Sequence, residues 1–322
     1  MTSNLRNKPL LKGLFRVRDL MMNKLGLFSI KKKLKFRRFL KKIQREDATK
    51  KCEVALKIEE LPDNLVSNII TGEDIIFSVT SYGKRVNSTL PYMLYSLLTQ
   101  TVLPKKIVVN LDKDTWNDDN LPVLMKKLKK VGIEIHYCKD TRSYKKLLPT
   151  LRRYPDNPIV TVDDDIYYNS HLHEWIMSAY DASDKRTVLG LWGCMPEKKN
   201  GKYVPYNQWK DMKYGKGGED ISFIGEDSVC YPPHIFDDEI FNEEVFMKLC
   251  PAADDIWFWA MEERQGIKKA YTNPCGYGHH VEIERINVYN FARQEDNLMY
   301  ENVINNRNNE QLRNLLDYYH LD

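Results

Sequence analysis

The chain has 322 residues, 42% hydrophobic and 11% aromatic, enough for one large or two ordinary globular domains with a sizeable core. Its net charge of +4 conceals an asymmetry: residues 1–51 hold 17 Lys/Arg against 3 Asp/Glu, and the remainder holds 32 against 42. The globular part is therefore acidic, which speaks against a nucleic-acid partner, and the positive charge sits at one end.

That end comes first. In residues 8–45, Leu10, Leu11, Leu14, Phe15, Leu20, Met21, Leu25, Leu27 and Phe28 are interleaved with cations, and KKKLKFRRFLKKIQR follows. An apolar stripe among many Lys/Arg is the pattern of a helix lying in an anionic membrane surface, where each cation contributes about 1 kcal/mol. A solvated basic tail, or a helix on an acidic partner, has the same composition. Arg6, Lys8, Lys12, Arg16 and Arg18 break up any secretory h-region, and no stretch nears the ~18 apolar residues of a spanning helix. The expectation is a cytoplasmic protein with a basic amphipathic extension (1–51) that holds it peripherally at the inner face of the plasma membrane.

Residues 52–72 read as a linker, and a regular alternation follows. Strands are expected at IIFSVT (75–80), KIVVNL (106–111), IEIHYC (133–138) and PIVTVDDD (158–165). Helical patterns separate them at 88–100, at LPVLMKKLKK (121–130) and around KKLLPTLRRY. This predicts an α/β domain over 73–295, a mostly parallel Rossmann-like sheet flanked by helices, with a C-terminal helix in 296–322. Ligands of such sheets sit beyond the carboxyl ends of the strands, where Ser81, Tyr82, Asp112 and Asp163–Asp165 fall and should converge. The six scattered cysteines form no C-x-x-C and read as buried thiols.

Two acidic groups carry the chemistry. Three consecutive aspartates after a buried strand repel one another unless a cation joins them, and hard oxygen ligands suit Mg2+ or Mn2+. In an extended run Asp163 and Asp165 would share a face. The plain structural reading is an acidic turn before a helix starting near His171, and from the triplet alone both readings stand. PAADDIWFWAM (251–261) opens a further helix. There Asp254 is expected as N-cap and Asp255 in the first turn, where the helix dipole would keep it ionised. An ionised carboxylate in reach of an acceptor hydroxyl is a general base, and Ile256, Trp257, Phe258, Trp259 and Met261 would anchor its helix. Trp192, Trp209 and Trp257 are candidates for stacking on a ligand, with core packing the default for each.

In this order SVTSYGKR, IVVNLD, KKLLPTL, VTVDDD, GEDSVCYPPHIF and PAADDIWF resemble the GT-A class of nucleotide-sugar glycosyltransferases. The likeness is to bacterial family-2-like transferases of surface polysaccharide or lipopolysaccharide synthesis, and more weakly to the exostosin-type domain. It implies a D-x-D metal site at Asp163 and Asp165, with His279 or His280 as a late third ligand. It implies a catalytic base at Asp255, next to Asp254, and a nucleotide-sugar site using Tyr82, Arg85, Asp112, Lys145 or Lys146, with Asp164 turned into the fold or toward the ribose. It also implies a loop over donor and acceptor containing Gly225, Tyr231 and Pro232, and the glycine-rich 214–220 as a lid. The activity so implied moves a sugar from a nucleotide-sugar, UDP-linked by expectation, to a hydroxyl of a glycan or lipid-linked glycan, with Mn2+ or Mg2+ as cofactor. A sugar-phosphate nucleotidyltransferase is a rival, although SVTSYGKR lacks the expected glycine-rich loop. A non-catalytic glycan- or membrane-binding scaffold of the same fold is another.

Overall fold

The computed structural model describes residues 45, 48–66, 74–213, 221–225, 228–272, 302 and 306–322. The chain divides into two compact units at residues 49/50, and the elements below belong to the second. Residues 50–60 are helical (α1), although 52–60 were expected as linker, and their Val54 and Ile58 are buried in the core. The basic extension lies outside the described residues almost entirely.

The elements then run β1 (Ile76–Thr80), α2 (Arg85–Ser88), α3 (Leu90–Leu98), β2 (Lys106–Asp112), α4 (Val123–Val131), β3 (Glu134–Cys138), a 3-10 turn (Arg142–Lys146), α5 (Leu148–Arg153) and β4 (Ile159–Thr161). After α6 (Leu172–Ala182) come β5 (Val188–Gly190), β6 (Trp192–Met195), β7 (Lys198–Lys199), β8 (Lys202–Tyr203), β9 (Lys210–Lys213), β10 (Ser222–Phe223) and β11 (Val229–Tyr231). The chain closes with α7 (Glu243–Leu249), α8 (Asp254–Arg264), β12 (Lys269–Tyr271) and α9 (Arg307–Tyr319). Local chemistry sets several boundaries. Pro91 occupies the first turn of α3, where its missing N–H costs nothing. Gly132 (φ 118°) ends α4 in the left-handed region, its N–H turned back to Leu128 and Lys129 carbonyls. The Asn242 side chain caps α7 by accepting from the Val245 N–H at 3.3 Å.

Seven strands form the central sheet in the order β12-β5-β11-β4-β1-β2-β3. All neighbours pair parallel except β11, which runs antiparallel between β4 and β5. A sheet of this kind needs cover on both faces, and the period-two alternation of β1 shows it. Phe77 and Val79 join one buried cluster with α1, α3, α4 and α6, whereas Ile76 joins another with the 3-10 turn, α7, α8 and α9. A small sheet β10-β6-β9 and the β7–β8 hairpin complete the fold. No helix among the described residues is long and apolar enough to cross a membrane.

Candidate active site

The aspartate triplet begins the site. β4 stops at Thr161, and the Val162 N–H reaches the Ser78 carbonyl at 3.1 Å, so the acids lie in a turn rather than in an extended strand. Strict alternation therefore does not apply. Asp164 turns inward: it accepts from the Ser81 hydroxyl (2.5 Å), from Arg85 Nε (3.0 Å) and from a terminal nitrogen of the same guanidinium. That guanidinium also lies 3.0 Å from Asp165. Burial opposes charge on Arg85, but Asp164 and Asp165 outweigh it and hold the guanidinium protonated. Burial, with the neighbouring Asp165, pushes Asp164 up to about 6 in spite of Arg85.

Asp163 takes a different partner. It accepts from Lys146 Nζ at 2.9 Å, and its backbone N–H donates to the Tyr168 hydroxyl at 2.9 Å. The same ammonium lies 3.7 Å from Asp254, at the start of α8. One lysine thus joins an acid after β4 to an acid nearly a hundred residues later in the chain. Burial works against its charge, and Asp163 and Asp254 raise its pKa well above the ordinary lysine value. Gly225 flanks it: a Cβ there would stand 2.6 Å from the ammonium nitrogen. The turn carrying Lys146 is tied to the α8 entry by Tyr144, whose hydroxyl donates to the Cys250 carbonyl and whose ring stacks on Phe246. Arg142 donates to the Pro251 carbonyl at 2.9 Å.

At α8 the N-cap is Ala253, not Asp254, which stands as the first helical residue and is buried. Asp255 accepts from the Ile256 N–H at 3.0 Å. The helix dipole does not keep it ionised at low pH, as the sequence led us to expect. Burial and the adjacent Asp254 outweigh that effect and Lys146, so that Asp255 is pushed up to about 7. Ile256, Trp257, Phe258, Trp259 and Met261 are buried and fix the helix. Sequence reasoning missed the buttress behind this entry. From α9 the Gln311 side chain accepts from the Ala252 N–H (2.7 Å) and Asn314 donates to the Leu249 carbonyl (3.1 Å), while Asn302 donates to the Ala252 carbonyl (2.6 Å). Two polar side chains on the buried side of a C-terminal helix were the available signal.

The remaining candidates are dispersed. Tyr82 is exposed beside the site, with the Arg85 guanidinium 5.6 Å from its ring centre. Asp112 closes its own loop, accepting from the Asp114 N–H (3.0 Å) and the Thr115 hydroxyl. Lys145 is buried and pairs with Asp140, away from the partners of Lys146. Tyr231 ends β11 and Pro232 follows it; both are buried, and the Tyr231 ring packs against Phe236 and Phe258. The segment expected as a loop over the donor thus supplies a strand of the central sheet. Trp209 and Trp257 are buried in the core. His279, His280 and residues 214–220 lie outside the described residues.

The described residues can be tested against a divalent cation. Asp163, Asp164, Asp165, Asp254 and Asp255 face two cations, Arg85 and Lys146, so the cluster is short of positive charge. Asp163 and Asp165 remain part-exposed (27% and 14% of the side chain). Oxygen-only donors with excess negative charge fit Mg2+ or Mn2+. Among the described residues no three His, Cys, Asp or Glu side chains already surround one metal position.

No protein-family profile matches the sequence, and no curated relative matches it either. Among solved structures the chain is similar to S. aureus TarS, a GT-A-type glycosyltransferase, at 16% identity and a TM-score of 0.41, over 62% of this chain and 57% of that one. TarS has also been seen with UDP-GlcNAc. The chain is similar as well to a CMP:2-keto-3-deoxy-manno-octonic acid synthetase (8% identity, TM-score 0.40, 62% of this chain and 89% of that). The cytidylyltransferase IspD of Francisella tularensis gives 12% identity and a TM-score of 0.39, over 71% of this chain and 99% of that one. Overlaps this loose carry no argument about the reaction, and the chain spans little more than half of TarS residues 1–349 and 35% of the longer TarS structure.

Proposed function

We propose that the chain is a nucleotide-sugar glycosyltransferase. The observation that supports it is the Lys146 bridge, which sets the acids after β4 beside Asp254 and Asp255 at the carboxyl-end edge of the sheet. One group of acids suits a diphosphate with its cation, and the other suits a base.

In this reading the donor is a UDP-sugar and the acceptor a hydroxyl of a glycan or lipid-linked glycan in surface polysaccharide or lipopolysaccharide synthesis. Asp163 and Asp165 would hold a Mg2+ or Mn2+ ion, which when bound supplies counter-charge for the leaving diphosphate. Lys146 adds a fixed ammonium beside them, and Arg85 keeps Asp164 and Asp165 oriented. Asp255 takes the proton from the acceptor hydroxyl as that oxygen bonds to the anomeric carbon and the nucleoside diphosphate departs. The transition state has oxocarbenium character, and direct attack inverts the anomeric centre. The basic residues 1–51 would hold the enzyme peripherally at an anionic membrane surface on the cytoplasmic side.

The test compares wild type with Asp255→Asn across a panel of UDP- and GDP-sugars with Mn2+. Transfer should fall by about 1000-fold in the variant while metal-dependent binding of the nucleotide persists. Normal transfer by Asp255→Asn would remove the base from the mechanism. Formation of a nucleotide-sugar from a sugar 1-phosphate and a nucleoside triphosphate would replace the reading with a nucleotidyltransferase.

A further inference from the structure

On the sheet face beneath α5, polar side chains stand where apolar ones would pack. Asn110 on β2 and His136 on β3 are register partners, and Ser78 lies one pleat back on β1. Thr150 of α5 comes down onto them. Ser78, Asn110 and Thr150 are all wholly buried. Apolar residues of similar shape would avoid the desolvation cost of these groups, so the cluster needs another reason to be there.

Counting hydrogens supplies one. Asn110 Nδ2 donates to Ser78 Oγ (3.2 Å) and to Thr150 Oγ1 (2.8 Å). Ser78 donates its single hydroxyl hydrogen to the carbonyl oxygen of Lys146 at 2.6 Å. In the 2.6 Å contact between Ser78 and Thr150, the hydrogen must then come from Thr150. The amide oxygen of Asn110 faces His136 Nδ1 at 2.9 Å, so that nitrogen is the one carrying hydrogen. Every donor in the set points one way, from β3 across β2 and α5 to β1, and the series ends on the backbone of Lys146.

That end point matters because the turn has an alternative. Lys145 and Lys146 are adjacent at the end of a short 3-10 turn, a conformation with poor hydrogen-bond geometry of its own. Lys145 points to Asp140 and Lys146 to Asp163 and Asp254. A slip of one residue would exchange them. We propose that Asn110, Thr150 and Ser78 are positioning residues that lock the register of this turn, so that the ammonium of Lys146 rather than Lys145 meets the two acids. The consequence for donor binding rests on the transferase reading; the locking of the turn does not.

Thr150→Val keeps the shape and removes the hydroxyl, and Thr150→Ser keeps the hydroxyl. Both are made in the full-length chain, with and without Lys146→Met. Amide hydrogen exchange over 142–147 and calorimetric affinity for UDP with Mn2+ are then measured. Thr150→Val should speed exchange in the turn and weaken UDP about tenfold, as expected for one well-placed hydrogen bond, and Thr150→Ser should restore both. In the Lys146→Met background Thr150→Val should weaken UDP no further. Unchanged exchange in Thr150→Val, or an equal loss of affinity in both backgrounds, overturns the proposal. If wild type binds no UDP, the transferase reading fails, and the exchange data alone decide the positioning. Should Thr150→Val not fold, Ser78→Ala removes the final hydrogen bond of the series and is judged by the same outcomes.

Discussion

Lys146 donates to Asp163 across 2.9 Å while standing 3.7 Å from Asp254, and so ties the turn after β4 to the first turn of α8. Replacing it by Met leaves the part-exposed carboxylate of Asp163 and the buried one of Asp254 without their shared cation. Lys146→Met should lower transfer by at least about 100-fold, the usual cost of losing one preorganised charge partner. It should also destabilise the fold by about 3 kcal/mol, the lower end for breaking a buried pair, because Asp163 is part-exposed. Steady-state kinetics and urea denaturation check the two effects separately. A variant with wild-type kinetics would show the ammonium to be only structural.

The parallel half of this arrangement was legible in the sequence. The β-branched runs ending at Ser81, Asp112 and Asp163 alternate with helices, and chain direction alone then puts their ends on one edge of the sheet. What lay beyond reach was non-local. Val229–Tyr231 is only three residues long, and nothing local says that it inserts antiparallel between β4 and β5. Spacing alone therefore places Tyr231 and Pro232 in a loop, whereas they belong to the buried sheet region. The state of Asp255 was likewise hidden, because it depends on how deeply Asp254, Lys146 and Asp255 are buried together. The support of Gln311 behind Ala252 depends on where α9 docks, which no spacing encodes.

The position of Asp255 near neutrality sets a pH dependence. Burial raises it first, Asp254 raises it further, and Lys146 opposes both, leaving it at about 7. A base works only when deprotonated, so kcat should rise with pH through about 7 and level off above it. Asp254→Asn removes the like charge, and the acid limb of the profile should move to lower pH. A limb that stays in place or moves upward would assign it to another group.

Glu262 makes a separate prediction, about stability. It is buried in α8, and burial pushes its carboxyl up to about 8, with Lys269 pulling the other way and Glu263 adding to the rise. Between the unfolded carboxylate value and about 8, the unfolded chain has lost this proton and the folded one keeps it. The folded state then binds more protons, so stability must fall as pH rises through that window. Glu262→Gln should therefore be near neutral at pH 4 and stabilising, by on the order of 2 kcal/mol, at pH 9. Urea denaturation of both proteins at the two pH values measures it. A gain of equal size at both would show that ionisation of Glu262 is not the cause.

Two glycines separate a packing defect from a displaced charge. A Cβ at Gly190 would meet the Phe223 ring at 2.4 Å, and that ring is held edge-on against Tyr271. Neither β5 nor the ring has room to move, so Gly190→Ala should cost about 1–3 kcal/mol of stability. At Gly225 the atom met is the ammonium of Lys146, at 2.6 Å, the far end of a flexible side chain. The lysine can swing away without strain, but only by leaving Asp163 and Asp254, so the fold loses the same ion pairs as in Lys146→Met. Gly225→Ala should therefore lose both stability and transfer as Lys146→Met does, whereas Gly190→Ala should melt early and keep its activity at low temperature. Thermal melts paired with initial rates decide between them. If Gly225→Ala kept both its melting temperature and its rate, the ammonium's present place between the two acids would not be the one catalysis requires.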